Sequence, residues 1–163
     1  MKAIAAIDLN YGIGKDNDLL VSIPEDMKRF RRITTGKTVV MGNSTLKSFP
    51  GGKPLPNREN IVFTRSEQPP KECVTYVHSI PELMDLLKDK NTDDVYVIGG
   101  GMIYSLLLPY CDELNLTIVE HSFDATVFFP DFRADGNWEL AGTSQTFTHD
   151  LIKYRFEDYR RIK

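Results

Sequence analysis

The sequence predicts an α/β fold: a single domain over residues 1–163, built on a mostly parallel sheet with helices on both faces. Three observations carry this. Short apolar runs of strand length alternate with helical segments over the first two thirds of the chain. Two of those runs, at 38–42 and 95–101, end in small residues and pass straight into a helix. After Pro130 the style changes, and residues 138–147 and 152–159 alternate like a terminal antiparallel pair around His149-Asp150.

The first strand is the apolar run Ala3-Ile4-Ala5-Ala6-Ile7 within residues 2–9, of buried-strand length. Residues 10–22, rich in Asn, Asp and Gly and without periodicity, read as a loop. A helix follows over about residues 24–35 and stops near Gly36. Thr38-Val39-Val40-Met41-Gly42 is a second strand, and residues 43–48 form a helical turn. The stretch 50–57 (PGGKPLPN) is a break that no helix or central strand could contain. Residues 60–64 and 75–77 read as strands, 80–90 as a helix, 95–98 as a buried strand ending in three glycines, 102–107 as a helix and 114–119 as a strand.

Two helix starts are near copies. Ser22-Ile23-Pro24-Glu25-Asp26-Met27 and Ser79-Ile80-Pro81-Glu82-Leu83-Met84 differ at one place in six. Each has Ser followed three residues later by Glu, the capping-box spacing, with Pro suited to the first turn. If Glu25 serves the cap, Asp26 is not needed there. On a helical wheel Ile23, Asp26, Met27, Phe30 and Ile33 share one arc, and Glu25, Lys28, Arg29 and Arg32 read as the opposite face. A carboxylate in an apolar stripe costs several kcal/mol unless a cation or hydrogen-bond donor meets it. Asp26 therefore asks for a partner.

Composition removes several classes. With 20 basic and 23 acidic residues, net −3, the chain has no electrostatic footprint for nucleic acid. Its two cysteines, Cys73 and Cys111, form no CxxC, and three scattered histidines show no metal-ligand spacing, so neither a disulfide framework nor a metal site is expected. No apolar run approaches a membrane span, and no signal peptide opens the chain, so the expected setting is cytoplasmic. No Ser-His-Asp or Cys-His arrangement can be argued, and no second carboxylate shares the face of Asp26. An enzyme here would rely on one buried acid and a cofactor that carries the chemistry, which permits hydride transfer.

The strand ending in Gly99-Gly100-Gly101 is the best cofactor signal, because backbone without side chains can approach a pyrophosphate. Tyr104 stands where the dinucleotide fingerprint needs a further glycine, so the pattern is not the Rossmann one. Gly42-Asn43-Ser44-Thr45 offers a second strand-to-helix turn, and Thr64-Arg65-Ser66 puts a guanidinium between hydroxyls, suited to a phosphate monoester. Each is weak alone; three such ends in one parallel sheet argue better together. Arg58 could grip a carboxylate with its planar fork, although a surface arginine is the blander reading, as a satisfied strand threonine is for Thr117.

Taken together these residues resemble the dihydrofolate reductase family over nearly the whole chain. The resemblance is carried, in the family's order, by Ile13-Gly14 with Asn17, the segment 24–30 (PEDMKRF), Val40-Met41-Gly42, the segment 54–60 (PLPNREN), Thr64-Arg65, the segment 97–104 (VIGGGMIY), Leu116-Thr117 and Phe129-Pro130. It implies an eight-stranded, mostly parallel sheet whose last strand is antiparallel, four main helices, NADPH as cofactor and 7,8-dihydrofolate as substrate. It also implies a cytoplasmic monomer. Hydride would pass to pterin C6 with protonation at N5. By the same matching Asp26 would accept hydrogen bonds from the pterin 2-amino group and N3, with Thr117 orienting it. Ile4, Ala5, Met27, Phe30, Phe49, Leu55 and Ile98 would enclose the substrate rings, and Arg58 would hold the glutamate α-carboxylate. Ala6, Ile13, Gly42, Asn43, Ser44, Thr45, Thr64, Arg65, Gly100, Gly101, Met102, Ile103, Tyr104 and Thr126 would bind the dinucleotide, Arg65 reading its 2′-phosphate. A cis peptide would join Gly99 to Gly100.

The chain departs from the family's pattern in places. Leu20-Val21 stands where Pro-Trp is usual, Asn43 where a basic residue often meets the cofactor phosphates, and Asp124-Ala125 where Gly-Asp precedes Thr126; the segment 50–53 is two residues longer than the family's common form. Two other readings stay open: a same-fold reductase of another pterin or a riboflavin precursor, and a folate- or nucleotide-binding protein without catalysis. Asp26 with Arg58 argues against the former, since that pair answers the two polar ends of folate.

Overall fold

A computed structural model describes residues 1–15, 18–19 and 22–162, with only the backbone of 18 and 19; Asn17 and the Leu20-Val21 departure lie outside the described residues. The elements in chain order are β1 (Lys2–Ile7), β2 (Gly12–Lys15), β3 (Asp18–Leu19), α1 (Pro24–Thr34), β4 (Thr38–Gly42), α2 (Asn43–Ser48), β5 (Glu59–Phe63), β6 (Val74–Val77) and α3 (Ile80–Leu87). There follow β7 (Val95–Gly99), α4 (Gly101–Leu107), β8 (Glu113–Val119), β9 (Val127–Phe128), β10 (Trp138–Thr143), β11 (Phe147–His149) and β12 (Ile152–Arg161).

The main sheet runs β10-β12-β8-β1-β7-β4-β5-β6, with β11 paired to the start of β12. From β8 to β6 every pairing is parallel; β12 is antiparallel to β8, β10 and β11. The edge expected as one strand over 138–147 is thus two pieces, β10 against the end of β12 and β11 against its start. Apart from β11, the sheet has the eight-strand path the resemblance implies.

Burial explains why the parallel strands read as continuous apolar runs. Val40 belongs to one core with Ile61, Val97, Leu107 and Phe129, while its neighbours Val39 and Met41 belong to another with Leu46 and Val62. Both faces are covered, so alternation vanishes. The chain moves from β1 past β7 to β4, returns to β7, then crosses to β8 on the far side of β1. This reversal beside β1 opens a crevice at the carboxyl ends of β1 and β7, where open α/β sheets bind ligands.

Two expectations need correction. Residues 10–22 are not simply a loop, since β2 pairs β3 and β9 in a small second sheet. The near-copied helix starts also behave differently. Ser79 Oγ accepts from Glu82 N at 3.2 Å, and Glu82 reaches back to His78 N at 2.9 Å, so that box forms, one residue wide of the usual return. At α1 the N-cap is Ile23 with no side-chain cap; Ser22 Oγ meets Met27 Sδ and Glu25 pairs with Lys28. Ile23 is buried against Val119 and Tyr154, and that apolar contact sets the entry of α1.

Candidate active site

The crevice is a cavity of about 780 Å³ between α1, the carboxyl ends of β1 and β7, the start of α2 and the 49–58 segment. α1 brings Asp26, Met27 and Phe30; β1 brings Ile4, Ala5 and Ala6; β7 brings Ile98 and Gly99, with Gly100 following; Thr45 and Phe49 come from α2 and its end, Leu55 and Arg58 from the break. Ile13 and Tyr104 also line it. All the residues expected around the substrate rings therefore meet in one space.

Thr117 Oγ1 donates to Asp26 Oδ1 from the buried interior of β8. The register that delivers it is fixed on both sides, Thr117 facing Ala6 of β1 and Phe156 of β12. Burial pushes the Asp26 carboxyl above the usual carboxylate range, against the Thr117 hydrogen bond and the positive charge of Arg29. Among the described residues Asp26 Oδ2 has no hydrogen-bond partner, so one oxygen is oriented by the protein and the other faces the cavity. At the far end, Arg58 Nε donates to Thr34 Oγ1 at 3.1 Å and Nη1 to Pro56 O at 2.9 Å. These two bonds hold the fork while Arg58 still lines the cavity. Burial, then the neighbouring Arg31 charge, lowers the guanidinium pKa. A ligand with a donor-rich ring at one end and a carboxylate at the other satisfies both poles.

The remaining expected residues lie off this cavity, along the carboxyl edge of the sheet. A cis peptide joins Gly99 to Gly100. A Cβ on Gly99 would meet the Tyr104 ring at 3.3 Å, and Tyr104 gives its hydroxyl to Ile4 O at 2.7 Å, so Tyr104 props the turn from below. Gly101 is packed rather than open, since a Cβ there would meet Val127 Cγ1 at 2.8 Å and Phe128 O at 2.9 Å. Gly42 is closed by Ile103 in the same way, at 3.0 Å. Arg65 is exposed, with Nη2 3.7 Å from the sulfur of exposed Met102. Thr64 is buried and caps Ser66 N at 3.3 Å. Asn43 and Ser44 open α2, which has no side-chain cap. Thr126 meets the small sheet through its backbone, N donating to Gly14 O at 2.9 Å. Bare backbone at Gly100 beside the Thr45 hydroxyl, with an exposed guanidinium farther along the edge, fits a phosphate-bearing dinucleotide.

Two contributors escaped the sequence reading. Asp8 is buried at the cavity edge and accepts from Asn10 N, Gly12 N and Phe123 N at 2.8, 2.7 and 3.0 Å. A carboxylate opening a Leu-Asn-Tyr-Gly turn was the available signal. Arg29, read as solvent-facing, is only about 60° from Asp26 around the helix and turns inward to line the cavity.

Comparison with known proteins agrees with this geometry. The family model described as dihydrofolate reductase matches residues 1–161. Dihydrofolate reductase of Bacillus subtilis (strain 168) is 37% identical over 154 residues, covering 94% of this chain and 89% of that one. Dihydrofolate reductase type 3 of Salmonella typhimurium is 39% identical over 137 residues, covering 84% and 82%. Among solved structures, a dihydrofolate reductase from Enterococcus faecalis complexed with NADP(H) and RAB-propyl superposes with a TM-score of 0.88 at 32% identity, covering 99% of this chain and 96% of that one.

Proposed function

Since the chain belongs to the dihydrofolate reductase family, we propose that its one domain reduces 7,8-dihydrofolate to 5,6,7,8-tetrahydrofolate with NADPH. The observation that carries this is the pairing of Asp26, oriented by Thr117, with Arg58 at opposite ends of one apolar cavity. Asp26 binds the 2-amino group and N3 of the pterin through its carboxylate, and Thr117 keeps that carboxylate turned to the ring. Met27, Phe30, Phe49, Leu55 and Ile98 exclude water from the ring faces. Arg58 takes the glutamate α-carboxylate with the donors it does not spend on Thr34 and Pro56.

NADPH, when bound, supplies the hydride that reaches pterin C6. Gly100, Thr45 and the backbone of the β7–α4 turn hold the dinucleotide on the cavity's sheet side, and Arg65 answers the 2′-phosphate from the exposed edge. Asp26 polarises the ring so that N5 takes up a proton, and its burial lets it hold a proton more readily than an exposed aspartate. A cytoplasmic monomer completes the reading: two free thiols, Cys111 buried and Cys73 exposed, support the reducing compartment, and the family resemblance supports the monomer. Light scattering checks the monomer.

The test is NADPH oxidation followed by absorbance with and without dihydrofolate. Substrate-dependent oxidation is expected; binding of both ligands without turnover would favour a non-catalytic protein instead. Replacing Arg65 tests the cofactor reading. Arg65→Ala is expected to weaken NADPH about tenfold or more and leave NADH little changed, because a charge-assisted phosphate contact is worth about 1.5–3 kcal/mol. An unaltered ratio of the two affinities would mean that another group reads the phosphate.

A further inference from the structure

We propose that Arg29 is a positioning residue for Asp26: clamped against β12, its guanidinium is the fixed cation that favours the ionised Asp26 carboxylate and so sets the pH at which that acid takes up its proton. This rests on the reading of Asp26 as the substrate-binding acid.

On β8 and β12, Thr117 faces Phe156 and Asn115 faces Asp158, two rungs of one antiparallel ladder. α1 lies across these rungs. Asp26 meets the first rung through Thr117, and Arg29, one helical turn later, meets both. The Arg29 guanidinium lies 4.2 Å from the Phe156 ring centroid, and its Nη2 is 3.8 Å from Asp158 Oδ1. Asp158 is itself held by Asn115 Nδ2 at 2.8 Å. The Arg29 side chain is 14% exposed although it carries a full charge.

A side chain that only docked α1 on the sheet could be apolar at this position. A guanidinium fits better when a negative charge must be met on the pocket side as well as at Asp158. Asp158 is partly exposed and paired also with Asn115, so it does not cancel the field of Arg29 at Asp26. Of the other groups around the acid among the described residues, β8 offers Thr117, a neutral donor. β12 offers Tyr154, whose phenol burial and the Asp26 and Glu25 charges keep protonated, and α1 itself offers Glu25, paired with Lys28. Lys15, Arg31 and Arg58 also line the cavity, but Arg29 lies one helical turn from Asp26 on the same wall, and its charge acts on the carboxyl against burial. The planar, stacked geometry suits Arg over Lys, because the ring fixes where the charge sits.

The direct test follows the Asp26 carboxyl by NMR in ligand-free protein labelled with 13C-aspartate, across pH, in the native chain, Arg29→Gln, Arg29→Lys and Arg32→Gln. Arg32 is exposed on the helix's solvent side, so its replacement makes the same net-charge change without the local one. Arg29→Gln is expected to raise the Asp26 midpoint by about half a pH unit or more. Arg29→Lys should recover most of that, and Arg32→Gln should move it far less. The alkaline limb of NADPH oxidation should shift upward in step. Should Arg29→Gln fail to fold, Arg29→Met, which keeps the stem on Phe156, reads the same shift. An unmoved midpoint in Arg29→Gln, or an equal shift in Arg32→Gln, overturns the proposal. A midpoint that shifts as described in a protein without dihydrofolate turnover instead upholds Arg29's role and overturns the functional reading.

Discussion

Asp26→Asn is expected to lower dihydrofolate turnover near neutral pH by about a hundredfold or more, the scale of a lost acid–base group. NADPH affinity should be largely spared. The amide has the shape of the carboxyl and can still accept the Thr117 hydroxyl at Oδ1. It cannot become an anion, and it presents a second donor to a ring edge that itself donates. The contacts on the dinucleotide side, Thr45, Gly100 and Arg65, are untouched. Steady-state turnover beside NADPH titration checks this, and unchanged turnover would falsify the assigned role of Asp26.

The same substitution should stabilise the fold. Burial raises the Asp26 pKa above its unfolded value. A group shifted that way helps the folded state most when protonated, below the unfolded value, and loses that help as pH rises through the folded value. Above the folded value the ionised carboxyl therefore costs stability that the amide does not. Thermal unfolding of Asp26→Asn should occur at a higher temperature near pH 7, with the advantage shrinking toward acid. A gap that widened in acid would contradict this. Activity and stability pull in opposite directions at this residue, as expected where an acid is buried for function.

The parallel strands were readable in the sequence because both their faces are buried, which leaves long apolar runs such as Thr38-Val39-Val40-Met41-Gly42, assigned with the bounds observed. Asp26 stood out because polarity broke a helical stripe. Its neighbour Arg29 did not, since a wheel divided into two faces places a flanking residue on the wrong side, and only the Phe156 ring of a distant strand shows which way it turns. The Ser22 and Ser79 starts differ in fate although their local text is nearly the same, because Ile23 is fully buried with Val119 and Tyr154 while Ile80 is only partly buried where it packs on the main core. Thr117 was ambiguous for a related reason. A threonine in a strand becomes a partner for the acid only once register with Ala6 and Phe156 puts it beneath α1. The small β2-β3-β9 sheet was invisible, because strands of two to four residues carry no period and one partner lies more than a hundred residues away.

Asp8→Ala is the other large expected effect, a loss of roughly 3 kcal/mol in equilibrium denaturation. Asp8 is 4% exposed, and its carboxylate serves three backbone N–H groups from two separate segments. Alanine removes every acceptor at once. Asn10 N–H can turn to water, but Gly12 is buried and Phe123 partly so, and donors left without partners there carry their full desolvation cost. Gly12 is packed against the carboxylate, since a Cβ on it would lie 2.8 Å from Asp8 Oδ2 and 2.6 Å from Ala125 Cβ. Asp8→Asn should cost about half as much, since Oδ1 still accepts from Asn10 and Gly12 while the amide nitrogen cannot accept from Phe123. The same three bonds hold the segment through which Gly12, Ile13 and Gly14 line the cavity. The alanine variant should therefore bind dihydrofolate and NADPH more weakly under conditions where it remains folded. If Asp8→Ala unfolds at the same denaturant concentration as the native chain, these bonds do not hold the turn.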